Sequence, residues 1–122
     1  MSIDPRRLTI WDAREKLRAR AFSASELTRA CLREMEKARP LNAMIRETPE
    51  LALAQARLAD ERLARDQARP LEGIPLAIKD LFCTKDAPTT AASRILDGFA
   101  PTYESTVTAK LWQAGAVMLG KA

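Results

Sequence analysis

Leu71-Glu72-Gly73-Ile74-Pro75-Leu76-Ala77-Ile78-Lys79-Asp80 is where the chain changes character, and the fold is read from that change. Turn formers at Pro70 and Gly73 precede a short, continuous apolar run over residues 74–78, which then meets a lysine and an aspartate. Such a run, bounded by turn signals, reads as a buried strand ending in charge. Pro75 lies early in it, which fits the first position or an edge of a sheet better than a central interior position.

Upstream of that strand the periodicity is helical. Thr9 with Asp12 marks a helix start, and Ile10, Ala13 and Leu17 share one face, so a helix is expected over residues 10–20. Ser23 with Glu26 forms a cleaner capping box, and Leu27, Cys31 and Met35 recur four apart in a second helix ending near Ala38, before Pro40. Residues 41–46 read as an extended connection. Thr48-Pro49-Glu50 then opens a third helix with a cap and a proline at the first helical position. From Leu51 to about Arg65 it carries Leu51, Leu53, Leu58 and Leu63 with alanines between, and Arg57, Asp60, Glu61 and Arg62 on its polar face.

Downstream, residues 83–101 read as a long loop. A helix follows from Tyr103 or Ser105, with Val107, Leu111 and Ala114 on one face, and ends at Gly115. Ala116-Val117-Met118-Leu119 is a second apolar strand. Strand, helix and strand in that order imply a parallel crossover unit covered by the earlier helices, hence an α/β sheet. The division expected is a helical region over residues 1–70 and the start of an α/β core over 71–122. Two strands leave unpaired edges, so weak cooperativity or association is expected of these residues alone.

Composition narrows the chemistry. The chain has 122 residues and a formal net charge of +4, with the whole excess in residues 1–70, where 15 basic residues face 11 acidic ones. Those basic residues alternate with acids and lack interleaved aromatics, which is the pattern of solvated helix faces rather than of a base-stacking surface. No stretch approaches the roughly 20 apolar residues of a membrane span, and a cytoplasmic location is expected. There is no histidine, which removes mechanisms that pair Ser or Cys with His. Cys31 and Cys83 show no metal-ligand spacing, and no metal site is expected.

One residue has chemical edge. Open α/β sheets place reactive crevices outside the carboxyl ends of strands, and Lys79 has that placement. Desolvation there disfavours an ammonium, so Lys79 could act as a general base or proton relay; pairing with Asp80 or simple exposure are the plainer alternatives. Lys121, after the second strand, reads as an exposed lysine. Gly120-Lys121 lacks the other residues of a phosphate loop. None of the five serines, Ser2, Ser23, Ser25, Ser93 and Ser105, lies in a Gly-rich turn that could expose a nucleophile.

The stretch 71–80 resembles the segment around the catalytic lysine of the amidase-signature family. The likeness continues through Thr89-Thr90-Ala91-Ala92-Ser93, Tyr103-Glu104-Ser105-Thr106-Val107 and residues 114–121, and also covers Leu8-Thr9-Ile10, Ser25-Glu26-Leu27 and Leu41-Asn42-Ala43. Within the family it is most similar to the bacterial A subunits of the glutamyl-tRNA(Gln) amidotransferase.

The resemblance implies that these residues are the N-terminal helices and first strand-helix-strand unit of the family's larger mixed sheet, incomplete here. It also implies a Ser-cis-Ser-Lys triad, in which a neutral lysine takes a proton through a bridging serine and activates a second serine to attack an amide carbonyl. By carry-over Lys79 is the triad lysine, and both serines belong to Gly/Ser-rich segments beyond residue 122. The 122 residues alone, read as a truncated gene product, a split reading frame or an incomplete gene prediction, are therefore expected to be inactive. Glutamine is the implied substrate, with ammonia passed to a B subunit that uses ATP. A C subunit is a further expected partner, and tRNA is met only through the complex. No cofactor is expected in this chain. The alternatives are part of a general small-amide amidase, or a noncatalytic basic module that binds a partner subunit or RNA.

Overall fold

The computed structural model describes residues 3–122. Four helices, α1 (Ile10–Arg18), α2 (Ala24–Lys37), α3 (Pro49–Ala64) and α4 (Thr106–Gln113), accompany three strands, β1 (Arg46–Glu47), β2 (Pro75–Ile78) and β3 (Val117–Lys121). The sheet order is β1-β3-β2, with β2 parallel and β1 antiparallel to β3. The parallel β2-α4-β3 crossover expected from the sequence is present, and β2 with its leading proline is an edge strand among the described residues.

Local sequence accounts for the helix starts. Reciprocal capping boxes form at Thr9 with Asp12 and at Ser23 with Glu26. α1 stops at Arg18, two residues earlier than expected, because Arg20 adopts a left-handed φ of +57° that ends the helical path. The Thr48 cap is not formed. Its hydroxyl instead donates to Met118 O in β3 at 3.1 Å, tying the start of α3 to the sheet.

α3 presents a different face from the one its leucines suggest. Ala52, Ala56, Ala59 and Leu63 are buried, whereas Leu58 is exposed. The small side chains sit at helical spacing and let α3 lie close against α2 and β3, so alanine rather than leucine forms the seam. Asp60, expected on the solvent face, accepts hydrogen bonds from Ala24 N (2.6 Å), Ser25 N (3.1 Å) and Ser25 Oγ (2.6 Å). With Glu26 N donating to Ser23 Oγ, the first three free amides of α2 are all satisfied.

The main core joins Leu17, Leu27, the α3 alanines, Ile74, Val117 and Leu119; a second cluster on the other face of the sheet joins Ile78, Ala87 and Met118. In α4 the inward position is Thr108, not Val107, which is exposed. The Thr108 hydroxyl lies within hydrogen-bonding distance of Cys83 O and Glu104, while Leu111 and Trp112 cover the second cluster. Gly73 is required where the chain turns into β2. Its φ is +75°, and a Cβ there would lie 2.7 Å from Ala24 Cβ at the head of α2.

The connection expected over residues 41–46 holds a 3-10 turn at Arg39–Leu41 and then β1, so a third strand joins the two expected. β3 is also longer than the apolar run suggested, reaching Lys121.

Candidate functional site

The turns that lead into β2 and β3 are hydrogen-bonded to each other. Leu71 N donates to Ala114 O, Gly73 N to Gly115 O and Val117 N to Ile74 O, and at the far end Ala122 N donates to Ile78 O and Asp80 N to Ala122 O. These bonds fix the backbone on both sides of Lys79. Beyond the start of the strand the side chains alternate: Ala77, Lys79 and Leu81 are exposed, and Ile78 and Asp80 are buried. Lys79 therefore stands on an open face at the carboxyl end of β2, and among the described residues its ammonium makes no hydrogen bond or ion pair. The pairing with Asp80 weighed from sequence does not form, because the Asp80 carboxylate turns the other way.

The lysine expected to be exposed is the most deeply buried charge among the described residues. Lys121 is 0% accessible and Asp80 is 2% accessible. Taking an ammonium out of water costs several kcal/mol unless its protons are met. Here Nζ donates to Phe82 O (2.9 Å), Thr89 Oγ1 (2.9 Å) and Thr84 Oγ1 (3.1 Å), one acceptor for each proton, and Asp80 Oδ1 lies 3.4 Å away. Asp80 Oδ2 accepts from Thr90 N (3.1 Å) and Thr90 Oγ1 (2.6 Å). Oδ1 has the ion pair but no hydrogen bond. Burial alone would raise the Asp80 carboxyl, but the Thr90 hydrogen bonds and the Lys121 ammonium outweigh it and hold it below the usual carboxylate range.

A register irregularity aims Lys121 into this pocket. Leu76 partners Met118 and Ala77 partners Gly120, which leaves Leu119 as an extra residue in β3. Val117 and Leu119 belong to the main core, so plain alternation would send Lys121 there too. The bulge reverses the parity, and Lys121 enters the loop that supplies Ala87 and Phe82 to the second cluster. Gly120 permits the bend: a Cβ there would collide with Arg46 O of β1 and lie 2.8 Å from Met44 Cε.

The loop around the pocket is held under strain. Ala91 and Ala92 take consecutive left-handed φ values of +49° and +55°, uncommon for residues with a side chain. Ala91 N donates to Asp80 O at 2.7 Å, and Thr89 N to Phe99 O at 3.0 Å. The Asp80 backbone and side chain together thus hold residues 90 and 91.

The described serines have structural posts. Ser23, Ser93 and Ser105 accept hydrogen bonds at helix starts, and Ser25 donates to Asp60; Ser2 lies outside the described residues. Among the described residues no group of three or more Cys, Asp or Glu could hold a metal ion. No described helix is long and apolar enough to cross a membrane.

The chain's similarities agree with this architecture. The family model described as Amidase matches residues 26–122. The glutamyl-tRNA(Gln) amidotransferase A subunit of Methylocella silvestris is 61% identical over 114 residues, and its counterpart in Dinoroseobacter shibae 62% over 114. In both cases the match covers 93% of this chain and 23% of the relative, so the chain spans about a quarter of the length of these curated relatives. The peptide amidase of Stenotrophomonas maltophilia superposes with a TM-score of 0.87 at 31% identity, over 94% of this chain and 24% of that one. The mixed helix-and-strand arrangement is thus a portion of the amidase-signature fold.

Proposed function

Because this chain belongs to the amidase family, we propose that it forms the lysine-bearing N-terminal part of the glutamine-hydrolysing subunit of a glutamyl-tRNA(Gln) amidotransferase. The identity of about 60% to the A subunits across nearly the whole chain carries this reading. The peptide amidase shares the fold at about half that identity, which favours the tRNA-linked enzyme over a general amidase.

Lys79 is the proton acceptor in this proposal. A lysine must be uncharged to accept a proton, and an ammonium loses stability when water is excluded from it. The open face of Ala77, Lys79 and Leu81 offers a surface on which serine-bearing segments would close, supplying that exclusion. The serine bridging to Lys79 would pass the attacking serine's proton to Lys79 as the serine oxygen bonds to the glutamine side-chain carbonyl carbon. The C–N bond would then break with that proton returned to the departing ammonia, and water would hydrolyse the resulting ester to glutamate and free serine. The ammonia would pass to a B subunit that uses ATP, with a C subunit completing a cytoplasmic complex that meets tRNA.

The test is glutamine-dependent ammonia release by the assembled enzyme carrying this sequence, compared with its Lys79→Ala variant. A loss of about a thousandfold or more is expected for a general-base group acting on an activated nucleophile. Wild-type rates in the variant would remove Lys79 from the chemistry. A polypeptide of residues 1–122 alone is expected to give no ammonia above background; turnover abolished by Lys79→Ala would contradict that.

A further inference from the structure

We propose that Lys121 is a positioning residue for Lys79, clamping the loop that follows β2 and cancelling the Asp80 charge beside Lys79 in the chain. The proposal rests on the assignment of Lys79 as the base. Two observations carry it. First, the three Lys121 protons are spent on Phe82 O, Thr84 and Thr89, all within the segment that begins directly after Lys79-Asp80. Second, Asp80 Oδ1 is buried without a hydrogen bond, and Lys121 is the one cation paired with it among the described residues.

A core that needed only packing would place an apolar residue at position 121. An uncompensated carboxylate next to a lysine favours the lysine's charged form, the form that cannot accept a proton. Lys121 removes that bias without touching Lys79. The remaining charges on neighbouring segments are not aimed at the pair. Lys85 and Asp86 are exposed, as is Arg46 of β1, and Glu47 is bound to Arg39. Glu104 accepts hydrogen bonds from Lys85 N and Trp112 Nε1, with the Thr108 hydroxyl 2.6 Å away.

The experiment measures the pH dependence of kcat/KM for glutamine hydrolysis in the assembled enzyme, for wild type, Lys121→Met, Asp80→Asn and the double variant, with Lys79→Ala as reference. Lys121→Met leaves Asp80 uncompensated, and its rate limb is expected roughly half a unit or more higher in pH. Asp80→Asn is expected to move the limb the opposite way, and the double variant to return it close to wild type. A role confined to stability would lower the amount of active enzyme without moving the limb. If Lys79→Ala abolishes activity but the limbs do not move in this signed pattern, the Lys121 proposal is overturned and the base assignment stands. If Lys79→Ala retains activity, the base assignment itself has failed and the proposal goes with it. Should Lys121→Met not assemble, Asp80→Asn alone decides: its limb moves to lower pH or the proposal is wrong.

Discussion

Two buried threonines give opposite outcomes for the same substitution. Thr89 is 3% accessible, and its Oγ1 accepts one of the three Lys121 protons at 2.9 Å. Valine has nearly the same shape, so Thr89→Val keeps the packing and removes the acceptor for Lys121 together with the hydroxyl's longer donation to Phe82 O at 3.4 Å. The fully buried ammonium then has an unmet proton and no route to water. Leaving a buried donor unsatisfied costs about 1–3 kcal/mol, with charged groups toward the upper end. Thr28, in α2, is 0% accessible, and its Oγ1 has no hydrogen-bond partner among the described residues. Thr28→Val replaces an unsatisfied hydroxyl with a methyl and is expected to be neutral or stabilising by up to about 1 kcal/mol. In urea unfolding, a loss of about 2 kcal/mol places the Thr89→Val midpoint roughly 1 M below wild type, whereas Thr28→Val lies at or above it. Equal midpoints for the two variants would refute the reasoning, since it would mean that the Lys121 contacts have no more energetic weight than an idle hydroxyl.

Three further outcomes follow from the geometry. Asp60→Ala strips acceptors from Ala24 N and Ser25 N and is expected to cost about 1–2 kcal/mol, with faster hydrogen exchange at the first turn of α2 and little change in α4. The folded Asp80 carboxyl titrates below its unfolded value, so its contribution is fully present above about pH 4 and is lost as pH falls through the folded value; Asp80→Asn should flatten the acid limb of a stability titration, and an unchanged limb would count against it. Burial pushes the Cys31 thiol up to about 11, so at pH 8 only about one molecule in a thousand carries the thiolate, and alkylation of the native protein at Cys31 should be slower than in urea by at least a hundredfold.

Features written in adjacent residues were legible in the sequence. The capping boxes at Thr9 and Ser23, the prolines opening α3 and β2, and the parallel crossover all depend on neighbours within a few positions or on simple periodicity. What periodicity cannot show is which partner a polar side chain will find. Asp60 looks like any solvent-facing acid until α2 docks beside it, and Thr48 looks like a cap until β3 offers a carbonyl. That an alanine-rich helix such as α3 can pack closely against a neighbour was legible, but which face it buries was obscured because leucines weigh more than alanines in any hydrophobic pattern.

Lys121 shows the same limit within the site. Its alternation points toward the main core, and only the bulge at Leu119 and the bend at Gly120 turn it toward Thr84 and Thr89. Glycine directly before a lysine at the end of an apolar strand was the available signal. Lys79, by contrast, is exposed at the strand end, one of the alternatives its position left open, and the role proposed for it comes from family likeness rather than from any contact in these residues.

The strand order also sets a timetable for synthesis. Among the described residues β3 is the central strand, yet it comes last of the three, so neither β1 nor β2 has its partner strand in this segment when it leaves the ribosome. Arg46 waits about 75 residues for Lys121, which at about 5–20 residues per second is roughly 4–15 s with an unpaired edge. Helices α1 to α3 can associate during that interval, but these three strands are joined only when the buried lysine arrives, and this part of the nascent chain stays open to chaperones and to wrong partners until then.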